Sequence, residues 1–142
     1  TCLMNQEYYQ VHPQDVHQNW ELFEALIYKA MTKTQKEEYS LQGCYTRLTN
    51  NQWQLFVILK EGELESIIVT SVLPFDICCY LNPMFITGVG NNKVDLDYMQ
   101  KCLEEIAVKF KCDKIIGGGR KGWKKVLSKF GYKDLNLVVK QL

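Results

Sequence analysis

Histidine is nearly absent from this chain: His12 and His17 are the two in 142 residues. They flank Pro13 and the start of a first helix. No Ser or Cys beside them forms a recognisable nucleophile motif, so a triad has no support in the sequence. The six cysteines (Cys2, Cys44, Cys78, Cys79, Cys102 and Cys112) show no C-x-x-C spacing and no Cys/His cluster. Free thiols in a reducing compartment are expected, with no metal site. Apolar runs are far shorter than a membrane span, so no membrane partner is expected. A basic start followed by an apolar stretch is also missing, so no signal peptide is expected. Thr1 suits a natural start exposed by removal of an initiator Met. Repeats, low-complexity tracts and interior linkers are missing too, which leaves residues 1–142 as one expected domain.

With 46% hydrophobic and 23% charged residues, the composition is that of a globular domain with its own core. The net charge of +1 hides a split. Residues 1–108 carry seven Lys/Arg against fourteen Asp/Glu, while residues 109–142 carry ten Lys/Arg against Asp113 and Asp134. An acidic body with a basic C-terminal quarter can steer an anionic partner, although a solvated basic helix face reads the same way.

Periodicity orders the elements. Residues 7–11 alternate as a strand, and Pro13 suits the first turn of a helix striped by Val16, Trp20, Phe23, Ile27 and Ala30. A polar stretch covers residues 32–38, and Ser40 caps a shorter helix near 41–48. Residues 53–59 and 64–73 form a hairpin around the turn at 60–63. A third strand over 77–87 contains Pro83, which demands a bulge or an edge. Residues 88–92 are a loop. Leu96, Met99, Leu103, Ile106, Ala107 and Phe110 stripe the clearest helix. Residues 113–116 read as a buried strand. Trp123, Val126, Leu127 and Phe130 stripe the last helix, Gly131 ends it in a left-handed cap, and 135–139 closes the chain as a strand. The expected class is α/β (α+β), a mixed twisted sheet flanked by helices, in the order β-α-α-β-β-β-α-β-α-β.

The densest motif is Gly117-Gly118-Gly119-Arg120-Lys121-Gly122-Trp123. Its glycines match a G-x-G-x-x-G spacing, but they lie in the last quarter and lack an acidic residue about twenty positions on. A dinucleotide site is therefore rejected. A P-loop fails because Trp123 stands where a Lys is required. What remains is a tight basic corner at a helix start, with Trp123 plugging the core and Arg120 and Lys121 as contacts to a partner. Glu61, Glu63 and Glu65 read as a solvated hairpin rather than an acid/base pair. The aromatic residues give no RNA-binding signature; Lys121, Lys124, Lys125 and Lys129 offer a nonspecific phosphate contact.

The order of elements resembles the Gcn5-related N-acetyltransferase (GNAT) architecture. More narrowly, the chain is similar to a GNAT-like family of tailed bacteriophages. The resemblance runs from Tyr9 to Leu142 and rests on Val11-x-Pro13, Trp20, Gln54-Leu55-Phe56-Val57, Thr70, Cys112-Asp113-x-Ile115, Gly119-Arg120-x-Gly122-Trp123, Leu127 and Gly131-Tyr132. In such enzymes the loop after the fourth strand, Arg/Gln-x-x-Gly-x-Gly/Ala, holds the coenzyme A pyrophosphate. Here it reads Gly88-Val89-Gly90-Asn91-Asn92-Lys93, without the Arg or Gln. A Tyr in the last helix usually protonates the leaving thiolate; its place holds Leu127, and the place of a preceding Asn holds Arg120.

The resemblance thus implies a phage-encoded, non-catalytic protein of the host cytoplasm or the virion, with protein partners in the particle or its assembly and no cofactor. The alternative is an acetyl-CoA-dependent N-acetyltransferase whose cofactor lies along Gly88, Val89, Gly90, Asn91 and Asn92. In that case an acidic residue or water serves as base. Nucleic-acid binding through the basic last helix is a third reading. A splayed fourth and fifth strand is the feature expected of the enzyme.

Overall fold

Side chains along the middle strands point alternately to two apolar layers, and this alternation builds the domain. The computed structural model describes residues 5–118, 123–135 and 138–142. In chain order the elements are β1 (Gln6–Gln10), α1 (Pro13–Gln18), α2 (Trp20–Ala30), α3 (Lys33–Glu38), α4 (Leu41–Thr49), β2 (Trp53–Lys60), β3 (Glu63–Pro74), β4 (Cys79–Gly88), α5 (Leu96–Lys109), β5 (Lys114–Ile115) and α6 (Trp123–Ser128). The five strands form one mixed sheet in sequence order, antiparallel up to β4 and parallel between β4 and β5.

Trp53 and Leu55 of β2, Ile67 and Val69 of β3 and Phe85 of β4 pack against Val16, Phe23, Ile27, Cys44 and Leu48 of the first four helices. Phe56, Ile58, Ile68 and Leu81 point the other way, against Met99, Cys102, Leu103 and Ile106 of α5. A one-residue slip would exchange the two layers, so the pattern fixes the register. The β2–β3 hairpin closes through Glu61 (φ 52°) and Gly62 (φ 79°). Two consecutive left-handed residues make the primed turn that matches strand twist.

The mixed sheet with flanking helices is as expected, but the helical half is more divided. The expected first helix breaks at Asn19 (φ −113°, ψ 25°), whose backbone N–H and side-chain amide both donate to the Asp15 carbonyl, at 3.0 and 2.9 Å, and so cap the end of α1. Residues 32–38, expected as a polar stretch, contain α3. This helix buries nothing. It stands on a capping box in which Thr32 Oγ1 accepts from Gln35 N and Gln35 Oε1 accepts from Thr32 N. The signature was present, but there is no apolar stripe to announce it. Ser40 caps α4 as expected.

Two corrections concern the C-terminal part. The expected buried strand over 113–116 is two residues long, with Lys114 exposed and Ile115 half-buried. Of the expected last strand over 135–139, residues 136–137 lie outside the described residues, and Leu135, Val138 and Val139 are exposed and outside any strand. Gly131 has φ 87°, and Tyr132 N donates to the Leu127 carbonyl, as the predicted cap requires.

Candidate functional site

Pro83 has no N–H for the ladder, and β4 answers with a bulge. Val69 pairs with Phe85 and Thr70 with Pro83, so Met84 is the extra residue. Met84 and Phe85 consequently both pack on the layer beneath the first four helices. The bulge kinks the strand just where its parallel neighbour gives out.

β5 meets β4 through two residue pairs, Tyr80 with Lys114 and Leu81 with Ile115, followed by a bond from Ile116 N to the Leu81 carbonyl at 2.9 Å. Beyond that point the two segments separate, and a cavity of about 350 Å³ lies between them. Asn82, Pro83, Met84, Ile86 and Thr87 of β4 form one wall. Gly117, Gly118, Trp123, Leu127 and Tyr132 form the opposite wall, and Lys29, Thr32, Gln35, Glu38 and Tyr39 close one end. Its size falls within the usual range for small-molecule sites, roughly 300–1,000 Å³.

The wall groups have definite chemistry. Glu38 is the carboxylate on the cavity wall among the described residues. Gln35 Nε2 donates to the Met84 carbonyl at 2.8 Å, which ties α3 to the bulge. Tyr132 donates its hydroxyl hydrogen to Gln100 Oε1 at 2.8 Å. Burial pushes this phenol above its ordinary range; the bond to Gln100 pulls it back in part, and the Glu104 charge raises it again. It is therefore a protonated hydrogen-bond donor at neutral pH. Gly117 lets the wall close, because a Cβ there would lie 2.8 Å from Leu127 Cδ1 and 3.3 Å from the Tyr132 ring.

Gly88, Val89, Gly90, Asn91 and Asn92 form the link from β4 toward α5. Val89 N donates to the Glu65 carbonyl and Asn92 N to the Val89 carbonyl, while Lys29 Nζ binds the carbonyl oxygens of Gly88 (2.9 Å) and Gly90 (2.6 Å). Gly90 takes φ 60°, and the amides of Gly90, Asn91 and Lys93 have no partner among the described residues. Successive free amides in a left-handed turn make a concavity suited to an anion. The carboxylate of Asp95 already caps α5 at Tyr98 N, and Asp97 adds a second negative charge there. The cavity wall itself does not include residues 88–92.

Of the basic corner, Gly119, Arg120, Lys121 and Gly122 lie outside the described residues. Trp123 is half-buried and stands on the cavity wall, outside both core layers, so it does not plug the core as expected. Lys124, Lys125 and Lys129 are exposed, and Lys124 pairs with Asp134. Glu61 and Glu63 are solvated as expected, but Glu65 is buried at a second bulge and pairs with Lys60 Nζ at 3.8 Å. Sequence reasoning missed the wall residues Thr32, Gln35, Glu38 and Tyr39; the T-x-x-Q capping signature was the available signal for that segment.

No family model and no curated protein matches the chain by sequence. Solved structures do match it. A predicted acetyltransferase from Clostridium acetobutylicum, solved with acetyl-CoA, is 14% identical, with 99% of this chain and 96% of that one covered at a TM-score of 0.62. An aminoglycoside acetyltransferase from an uncultured soil metagenomic sample is 15% identical over 97% and 98%, at 0.69. A GCN5-related N-acetyltransferase from Ralstonia eutropha is 10% identical over 97% and 99%, at 0.67. The chain has the GNAT acetyltransferase fold. In this GNAT fold the divergence of β4 and β5 answers the expectation of a splayed pair, and the cavity fills the opening. Among the described residues no helix is long and apolar enough to cross a membrane, and no His/Cys/Asp/Glu group is arranged to hold a metal.

Proposed function

We propose that this protein is an acetyl-CoA-dependent N-acetyltransferase whose thioester end enters the cavity between β4 and β5. The observation that carries this reading is the open wedge beyond Leu81 and Ile115, walled on one side by a bulged strand. The residues present fit such a cofactor. The wedge offers an apolar slot, and the free amides of Gly90, Asn91 and Lys93, with the Lys93 ammonium, offer donors for its diphosphate. Acetyl-CoA supplies an activated acetyl thioester when bound. The chain supplies position and protons: the cavity walls orient the thioester end, Glu38 takes a proton from the acceptor amine, and Tyr132 holds a proton where Leu127 has none to give.

Neighbouring acetyltransferase structures and the open cavity favour this reading over a non-catalytic assembly component. That other reading rests on the retained Gly119-Arg120-x-Gly122-Trp123 sequence beside two lost chemical motifs, Leu127 in the tyrosine position and the missing Arg or Gln before the 88–92 loop; the tailed-phage origin rests on the sequence resemblance alone. Titration calorimetry with acetyl-CoA tests the proposal. Saturable heat and a rise in melting temperature are expected. Neither signal at millimolar acetyl-CoA overturns it.

A further inference from the structure

The closed end of the wedge holds two thiols in contact. Cys79 Sγ, on the first residue of β4, lies 3.2 Å from Cys112 Sγ, which is 33 positions away in sequence. Backbone bonds fix both carriers. Asp113 N donates to the Cys79 carbonyl at 2.9 Å, and Cys79 N donates to Asp113 Oδ2 at 3.0 Å. Lys111 turns left-handed (φ 56°) after α5, and Cys112 N then donates to the Ala107 carbonyl at 2.8 Å, which aims the cysteine at β4. Both thiols are half-buried, within reach of a small reagent. The neighbouring Cys78 is also half-buried, but its thiol makes no such contact among the described residues.

We propose that Cys79 and Cys112 are a reversible oxidation site, in which a small-molecule disulfide such as oxidised glutathione joins them and staples β4 to the segment that leads from α5 into β5. The inference goes beyond the acetyltransferase reading and stands without it. Burial and the adjacent Cys79 push the Cys112 thiol up. Either sulfur can open the exchange, and both orders give the same bond. With Cys79 attacking first, its thiolate attacks one sulfur of the small disulfide, whose S–S bond breaks and releases a thiolate that takes up a proton. Cys112, giving up its proton, then attacks the Cys79 sulfur and displaces the second small thiol. Two protein thiols are oxidised by two electrons, and one small disulfide is reduced to two thiols. The sulfurs must close from 3.2 Å to about 2.05 Å, which small side-chain rotations supply.

The test uses the full chain in anaerobic glutathione buffers of increasing oxidised fraction. Thiol titration is expected to fall by two groups, and intact mass to fall by two hydrogens with no glutathione adduct. Peptide mapping is expected to join the Cys79 and Cys112 segments, and the melting temperature to rise by roughly 5–10 °C through the restricted unfolded chain. Cys78→Ser is expected to behave as the parent. Cys79→Ser and Cys112→Ser are expected to lose the internal bond and the thermal shift, the remaining thiol carrying glutathione. Adducts alone on the parent chain, a bond that uses Cys78, or no thiol loss in fully oxidised buffer overturns the proposal. Peptide mapping of the parent and Cys78→Ser chains decides the matter even if either other variant folds poorly.

Discussion

Gln35 on α3 donates from Nε2 to the carbonyl of Met84 on β4 at 2.8 Å, across 49 positions of sequence. The same amide accepts from Thr32 N through Oε1, so one side chain both starts the helix and holds it against the bulge. A helix that buries no residue is thereby fixed as a wall of the cavity.

Gln35→Leu removes both bonds at nearly unchanged size. It is expected to cost about 1–2 kcal/mol, as the loss of a cap and of a tertiary hydrogen bond. Urea unfolding measures this. A midpoint equal to that of the parent chain would show that α3 is held by something else.

Gly88 and Gly118 are expected to respond oppositely to alanine. A Cβ on Gly88 would lie 2.0 Å from the Asn92 carbonyl oxygen, which is backbone, whereas a Cβ on Gly118 meets nothing within 4 Å among the described residues. Gly88→Ala should cost more than about 2 kcal/mol or displace the 88–92 loop. Gly118→Ala should change stability by less than about 0.5 kcal/mol. Paired thermal melts, with amide chemical shifts of the loop, give the comparison.

Leu127→Trp places a larger ring on the cavity wall from a half-buried position outside both core layers. It is expected to weaken acetyl-CoA binding at least about tenfold, a loss of roughly 1.4 kcal/mol. The melting temperature should stay within a few degrees of the parent. Calorimetry and a melt on the same sample check both; undiminished affinity would place the cofactor elsewhere.

Alkaline pH is expected to destabilise the fold through its buried thiols. Burial pushes Cys44 and Cys102 from 9.0 to about 11, with Arg47 and Tyr98 respectively pulling them back in part. Between these values the unfolded chain loses the thiol protons while the folded chain keeps them. Stability is therefore level below about pH 9 and falls as pH rises toward 11. Urea midpoints at pH 7, 9 and 10.5 measure the slope, and Cys44→Ala should flatten it.

Much of the sheet was legible because alternation is a local signal. Trp53 to Leu59, Glu61-Gly62 and the Pro83 bulge each follow from residues within a few positions of one another. The long α5 was legible for the same reason, through its apolar stripe. α3 was missed because its stability comes from Thr32, Gln35 and a carbonyl on a distant strand. Trp123 was misplaced because an apolar stripe on a helix does not say whether it faces a core or a cavity. The contact of Cys79 with Cys112 had no local signal at all, since the entries of two parallel strands lie a whole helix apart in sequence.

By itself the sequence determined the two-sided apolar alternation of β2, β3 and β4, the α5 stripe, and the Pro83 irregularity. These features fix a mixed sheet covered by helices, since burying both faces at once leaves few arrangements. Tertiary structure alone decided that β5 would hold β4 over two residue pairs and then diverge. It also decided that Gln35, Glu38, Tyr132 and the bulge would surround the space so opened. The physical reason is range. Periodicity is set by neighbouring residues, whereas a cavity exists where packed elements fail to meet, and that depends on all of them together.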